Sequence, residues 1–449
     1  MNGREYTDPV DIIKIMTNFH IEKTSSVRVD HEDESVPPQP ESNATPQQII
    51  NEVLDTYDIE FDDIFPSFPE VTDVAPFSTT AINDVIKTFK TISSPGPSGQ
   101  SKQFYSTLMS ILPNIMTSTI NFLANLNTFE RTPFNWIKKR YIIMLHKKKM
   151  ERTDPSSYRP ISLLEMLYKI ISKLLTYQLD VHIPSIVHSD QYGFVKGRQM
   201  SVASHTVLAL LQELSKGDEA VCAMFLDIKA TFDSALPGAL LYITKRIFPM
   251  SNLPDLIHNL TNRGIANLLV NGEYGKLFLL WLGCGQGDPI SAARYLILHH
   301  LFIMFLFYAI KNSTIHNSMC VRMVGGGGIM RCIPPLAYAD DTQKCLIFRT
   351  HEDVKFWCKI RDDAAKMTGL TINRSKTQIL LTGDARRRAL ALPLAMQVGK
   401  VVDEVEHLGI IVCLDPVKGR DKTYIALQSK VNKSIVHFKT KSASTDIFH

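Results

Sequence analysis

The sequence predicts an α+β fold, and three observations carry that prediction. Residues 165–179, EMLYKIISKLLTYQL, place Met166, Leu167, Ile170, Ile171, Leu174, Leu175 and Leu179 on one helical face. Residues 221–226, VCAMFL, form a short continuous apolar run, the pattern of a strand buried on both faces. Apolar runs flank Asn271-Gly272, a strong hairpin signal, and others flank Asp340 and Asp341, where a second hairpin is expected with both aspartates at its turn.

The chain has 449 residues, enough for two or three domains and a large core. With 45% hydrophobic and 21% charged residues, it has the composition of a globular protein rather than a disordered one. A net charge of +4 permits a nucleic-acid partner without arguing for one. Seven scattered cysteines include no CxxC pair, so neither a zinc ribbon nor a redox motif is indicated, and reduced thiols inside a cell are expected. The first ten residues, MNGREYTDPV, lack the apolar core of a signal peptide. The expected location is intracellular, cytoplasmic or nuclear, with no membrane partner. Residues 295–310, YLILHHLFIMFLFYAI, are apolar but fall short of the ~20 residues that span a bilayer, and they contain His299 and His300. They read as a buried core helix, with Asp288 as N-cap and Pro289 at the first position. Adjacent histidines do not share a helical face, so they are expected to pack rather than bind metal.

Organisation along the chain is uneven. Residues 1–75 read as an N-terminal extension. Within it, residues 23–48 are rich in Ser, Pro, Glu and Gln, and disorder is expected there. Residues 76–220 and 221–415 form two globular parts, and 416–449 begin a further element with a polar end. No internal repeat is visible.

The chemistry centres on carboxylates. Asp227 ends the 221–226 strand, and Asp340 and Asp341 sit at the second hairpin. If those strands are neighbours, three carboxylates converge and repel unless a cation is present. Hard oxygen ligands suit Mg²⁺. Two such ions ~3.5–4 Å apart can activate an attacking oxygen and stabilise a leaving one at phosphorus. An isolated Asp-Asp pair is more often a solvated turn, so the rest of the chain must decide.

Several motifs then coincide in order. SPGPSGQ at 94–100, YRPISLLEMLYKIISKLL at 158–175, QYGFVKGRQ at 191–199, FLDIKATFDS at 225–234, GCGQGDPIS at 283–291, LAYADDT at 336–342, GLTINRSKTQIL at 369–380 and HLGI at 407–410 resemble the conserved blocks of reverse transcriptases from non-LTR (LINE-type) retrotransposons. The resemblance spans roughly residues 76–415. It implies a right-hand polymerase. Residues 76–220 would be rich in fingers. Residues 221–415 would form a palm whose antiparallel sheet is backed by helices. Residues 416–449 would begin a truncated thumb.

The resemblance also implies residue roles. Asp227 and Asp340 would hold two Mg²⁺ ions, with Mn²⁺ a possible substitute, and Asp341 would support them. Phe232 would block a ribose 2′-OH. Gln286 and Gly287 belong to a loop touching template and incoming base, and Lys376 would be the general acid for pyrophosphate. Arg159 would grip the triphosphate, since its guanidinium fork suits phosphate oxygens. Lys147, Lys148 and Lys149 close the stretch IKKRYIIMLHKKK at 137–149 and either face phosphates or are ordinary solvated strand ends. The implied partners are an RNA template, a DNA primer and deoxynucleoside triphosphates. The oligomeric state is left open.

The chain departs from the family pattern at Ser98 (usually Asp), Ala230-Thr231 (Lys-Ala), Gly285 (Arg) and Ala292 (Pro). No segment resembles the endonuclease that normally precedes the polymerase. The implied function is an RNA-directed DNA polymerase. The alternatives are a silent retroelement remnant that still binds RNA and a group II intron maturase. The maturase fits RPISLL and GLTINRSKT less well.

Overall fold

The computed structural model describes residues 9–24, 44–92, 94–125, 133–147, 150–229, 232–324 and 330–445. The elements that position the site are, in chain order, β1 (Lys139–His146), β2 (Tyr158–Leu164), α1 (Met166–Asp180), α2 (Met200–Leu214), β3 (Cys222–Leu226), β4 (Gly264–Val270), β5 (Glu273–Leu280), α3 (Ser291–Asn312), β6 (Leu336–Tyr338), β7 (Asp341–Leu346), β8 (Gln378–Leu381) and β9 (Lys400–Val401). They divide between two units. The first comprises Met1–His188, Lys229–Phe305 and Asp363–Leu370; the second comprises Ser189–Ile228, Leu306–Asp362 and Thr371–His449.

In the first unit a four-stranded sheet runs β2-β1-β4-β5. β1 pairs antiparallel with β2 and parallel with β4. β4 and β5 form the expected hairpin, with Val270 opposite Glu273. Asn271 (φ 52°) and Gly272 (φ 88°) fill the two turn positions with the positive angles that a type I′ turn demands. Ile142, Ala266, Leu268 and Phe278 build the sheet's core with Ile13 of the N-terminal helix Pro9–Thr24. The face predicted for α1 is buried along its whole length, from Met166 to Leu179.

Around the start of β1, Lys138 and Arg140 are buried while Lys139 between them is exposed, and the Lys138 ammonium donates to Asn259 O at 3.2 Å. The long apolar helix starts at Ser291, not at Pro289. The Asp288 carboxylate accepts from Ile290 N (3.3 Å) two residues on, as a cap does, and also from Tyr168 Oη (2.6 Å) and Ser172 Oγ (2.5 Å). The disorder expected at 23–48 falls largely outside the described residues. Its last three residues instead open helix Pro46–Thr56, where Thr45 and Gln48 exchange the two hydrogen bonds of a capping box.

By length and composition α3 could cross a membrane, yet 94% of its most apolar window is buried within the protein. His300 accepts from His188 N and donates from Nε2 to Ile64 O. Burial, and then the neighbouring His300, push His299 down to about 3 and keep it neutral. Both histidines are packed, as expected.

In the second unit a five-stranded sheet runs β9-β8-β3-β7-β6. β3 is buried at all five positions and pairs antiparallel with β7 on one side and β8 on the other. α2 covers one face, packing Ala203, Val207, Leu211 and Leu214 with Ala223, Phe225, Cys345 and Leu380. Full burial of a leucine contributes about 1.5–3 kcal/mol, so this layer anchors the strands whose ends carry the aspartates.

Candidate active site

The pairing of β3 with β7 decides where the carboxylates lie. Leu226 is opposite Thr342. One further step along the same register sets Asp227 opposite Asp341. Tyr338 pairs with Asp341, so the hairpin turn consists of Ala339 and Asp340. Asp341 is therefore the first residue of β7 rather than a turn residue as expected. Asp227 is half-buried, while Asp340 and Asp341 are exposed. The surrounding protein nevertheless withdraws water from the Asp341 carboxyl group. That burial first, and then repulsion from Asp340 and Asp227, raise Asp341 to about 6. All three carboxylates thus share one electrostatic neighbourhood.

Asp227 is held by its backbone. Its carbonyl accepts from Asn373 N at 2.7 Å, and its N–H donates to Thr377 Oγ1 at 3.4 Å. The same two residues bracket the turn that carries Lys376. Lys376 is exposed there, on a segment hydrogen-bonded to the first aspartate's main chain.

The Asp340 turn is held by a residue that the sequence reading quoted only as part of a motif. Gln191 is buried, and its Oε1 accepts from both Gly193 N (3.0 Å) and Ala339 N (2.9 Å), while its Nε2 donates to Ala339 O at 3.2 Å. Ala339 has φ 58°, a left-handed conformation that costs a non-glycine residue about 1 kcal/mol or more. The clamp offsets that cost. A Cβ on Gly193 would lie 2.1 Å from Ala339 N, so only glycine allows the two backbones to approach. The signal available in the sequence was the QYG triplet, but its target lies 148 residues away.

The other predicted residues belong to the first unit. Ser162 N donates to Gln286 O at 2.8 Å, and Cys284 N donates to Phe232 O at 2.6 Å, which tie the 283–288 loop to β2 and to the segment after Asp227. Gly287 has φ 103°, and a Cβ there would meet Ser162 O at 2.8 Å. Phe232 is half-buried, with its ring 5.0 Å from that of Tyr295. Arg159 is exposed on β2, three residues before Ser162. Lys148 and Lys149, with Ala230 and Thr231, lie outside the described residues. Lys147 donates to Ser156 O at 2.8 Å. Ser98 has a clear reason to differ from Asp: its N–H and hydroxyl both donate to the carboxylate of buried Glu165, at 2.8 and 2.5 Å. A second carboxylate there would repel it.

The donor set of Asp227, Asp340 and Asp341 is all oxygen and mutually repelling, which fits a hard divalent cation. Among the described residues, no three His, Cys, Asp or Glu side chains are yet gathered tightly enough to hold one.

Comparison with known proteins identifies the family. The family model described as reverse transcriptase (RNA-dependent DNA polymerase) matches residues 145–412, more than half of the chain. The chain belongs to that family, whose members generally use divalent metal ions. It is 30% identical over 165 residues to the RNA-directed DNA polymerase from mobile element jockey of Drosophila melanogaster, covering 36% of this chain and 18% of that protein. It is 26% identical over 190 residues to the probable RNA-directed DNA polymerase from transposon X-element of the same fly, covering 41% and 20%. It is 22% identical over 210 residues to the Pol polyprotein from type-1 retrotransposable element R2 of Popillia japonica, covering 46% and 27%. The chain spans about a fifth to a quarter of the length of these relatives. The non-LTR likeness read from the motifs agrees with these matches.

Proposed function

We propose that this chain is the polymerase module of a non-LTR retrotransposon and extends a DNA primer on an RNA template with deoxynucleotides. The observation that carries the reading is the β3–β7 register, which sets Asp227 opposite Asp341 with Asp340 at the adjoining turn. In this reading the second unit's five-stranded sheet is the palm, and the first unit supplies fingers. The three aspartates would hold two Mg²⁺ ions, or Mn²⁺ in their place. Once bound, the ions would lower the pKa of the primer 3′-OH and neutralise charge on the phosphates.

The chain's own residues do the rest. Asp227 and Asp340 orient the reacting groups from a strand end and a clamped turn. Lys376 would give a proton to the leaving pyrophosphate oxygen. Arg159 and the lysines that follow β1, including Lys148, would hold the triphosphate through charge-assisted hydrogen bonds. Phe232 would exclude a 2′-OH by bulk. Gln286 and Gly287 would let backbone approach the template and the incoming base.

The test is primer extension by the purified chain with Mg²⁺, an RNA template and an annealed DNA primer. Asp340→Asn removes a charged ligand worth several kcal/mol at the transition state, so extension should fall about a thousandfold. Binding to the RNA–DNA hybrid should persist, because backbone contacts come from basic residues elsewhere. Extension that survives Asp340→Asn would refute the mechanism. Binding without extension in the unmutated chain would identify a silent remnant. Phe232→Val should raise the ratio of ribo- to deoxynucleotide incorporation, and an unchanged ratio would leave Phe232 a packing residue only.

A further inference from the structure

In the second unit, the loop after the Gln191 clamp holds an aromatic ring out in solvent. Phe194 is 58% exposed, while Gly193 before it and Val195 after it are both buried. The chain cannot turn the ring inward without unseating one of the two. Phe194 also has φ 59°, and among the described residues it is the only aromatic one with a left-handed angle. Such an angle strains a bulky side chain and persists only where the surrounding structure enforces it. Arg198 closes the loop: its Nη1 donates to Gln191 O at 2.6 Å, and its backbone N–H donates to Val195 O at 3.2 Å. Gly197, with φ 83°, supplies the turn between them. Two unfavourable features therefore meet at one residue, the exposed ring and the strained angle. Neither contributes to the clamp on the Asp340 turn, which Gln191 and Gly193 make.

The position of the ring narrows what it can meet. The backbones of Gly193 and Ala339 touch, and Phe194 and Asp340 are the next residues along on either side of that contact. Both are exposed. Lys196, two residues further on, is exposed as well, and residues 191–212 contain no Asp or Glu. A basic loop without carboxylates, beside aspartates suited to a divalent cation, complements a polyanion. An exposed ring next to that positive charge is the group on which a nucleotide packs.

We propose that Phe194 packs against a nucleotide of the bound template–primer and that Lys196 neutralises a neighbouring phosphate. The inference rests on the polymerase reading and extends it: the aspartates take the reacting end, and the ring steadies the nucleic acid beside them. Every base and sugar presents a face to such a ring, so the contact holds the hybrid without selecting its sequence. The buried neighbours Gly193 and Val195 keep the ring in place before the hybrid arrives, which spares the ordering that a flexible side chain would need on binding.

The test combines binding of the purified chain to an RNA–DNA hybrid, thermal unfolding and primer extension. Phe194→Gly removes the ring and the strain together. Hybrid affinity should fall about tenfold at every salt concentration. The unfolding midpoint should stay level or rise, because glycine accepts the left-handed angle. That opposition separates a nucleic-acid contact from a packing role, which would lower both. Phe194→Tyr keeps the ring and should bind within about twofold of the unmutated chain. Lys196→Ala should flatten the slope of log affinity against log salt by about one. Unchanged affinity in Phe194→Gly, a midpoint that falls with it, or an equal loss in Phe194→Tyr would each overturn the assignment of Phe194. An unchanged slope would overturn that of Lys196. If the unmutated chain extends the primer while Phe194→Gly binds normally, this inference alone is lost. If the unmutated chain neither binds nor extends, the polymerase reading falls with it.

Discussion

The two units handle concentrated charge in opposite ways. In the second, three carboxylates sit at strand ends and a turn, within reach of solvent, and neutral groups do the holding: Gln191, Gly193, Asn373 and Thr377 fix backbone rather than side chains. In the first, charged side chains are themselves the packing. Arg140 wedges beside Gly285, and Asp288 is locked by two hydroxyls. Charges that must exchange partners are mounted on a rigid neutral frame. Charges that form the frame are enclosed.

That contrast can be broken at the frame of the second unit, where the effect should be largest. Gly193→Ala forces a Cβ into the Ala339 backbone, and a loss of about 3 kcal/mol or more is expected by chemical denaturation, with primer extension lost as well. Gly217→Ala, whose Cβ would meet only Leu214 O at 3.7 Å, is the control and should cost little. Gln191→Ala keeps space but removes three hydrogen bonds to buried backbone, for a cost of roughly 1–3 kcal/mol. Here extension should fall more than stability, because the released Ala339 can relax from its left-handed angle and carry Asp340 with it. Equal losses would make Gln191 an ordinary core residue.

The first unit offers the mirror experiment. Ser98→Asp restores the residue usual in the family but faces it against the Glu165 carboxylate, and about 2 kcal/mol should be lost. A neutral or stabilising result at pH 7 would mean that Glu165 turns away easily and that the unit is less rigid than its hydrogen bonds imply.

The smallest effect belongs to Asp341. Its pKa is raised in the folded state, so the folded chain binds the proton more tightly than the unfolded one. The carboxylate therefore costs stability above pH 6, and the cost fades as pH falls from 6 toward 4. Asp341→Asn should stabilise the metal-free protein at pH 7 by less than about 1 kcal/mol, given solvent screening, and should match the unmutated chain near pH 4. Added Mg²⁺ should close or reverse the gap at pH 7. A constant gap at every pH would remove the carboxylate cluster from the explanation.

Legibility in the sequence followed the range of the interactions. α1, β3 and the Asn271-Gly272 turn were readable because period and turn chemistry are local. The aspartates were readable as a set through the motifs around them. The Gln191 clamp was not, since its partner lies far along the chain and no local pattern names it. The burial of Arg140 was not legible for a related reason: a basic residue at a strand end is normally solvated, and only the fold shows that two glycines, Gly264 and Gly285, leave it a buried place. At Asp288 the bond to Ile290 N is local and was legible, whereas the hydroxyls that Tyr168 and Ser172 bring to the same carboxylate from α1 were not.

The position of β3 also has a consequence in time. This strand is apolar at every residue and needs neighbours on both edges, yet β7 and β8 begin about 115 and 152 residues after it ends. At the ~5–20 residues per second of protein synthesis, a nascent chain carries β3 unpaired for about 6 to 30 s. During that interval the strand that will present Asp227 is also the segment most exposed to pairing with another chain. Slowing translation between residues 226 and 341 should therefore lower the yield of folded protein more than an equal delay placed after residue 381.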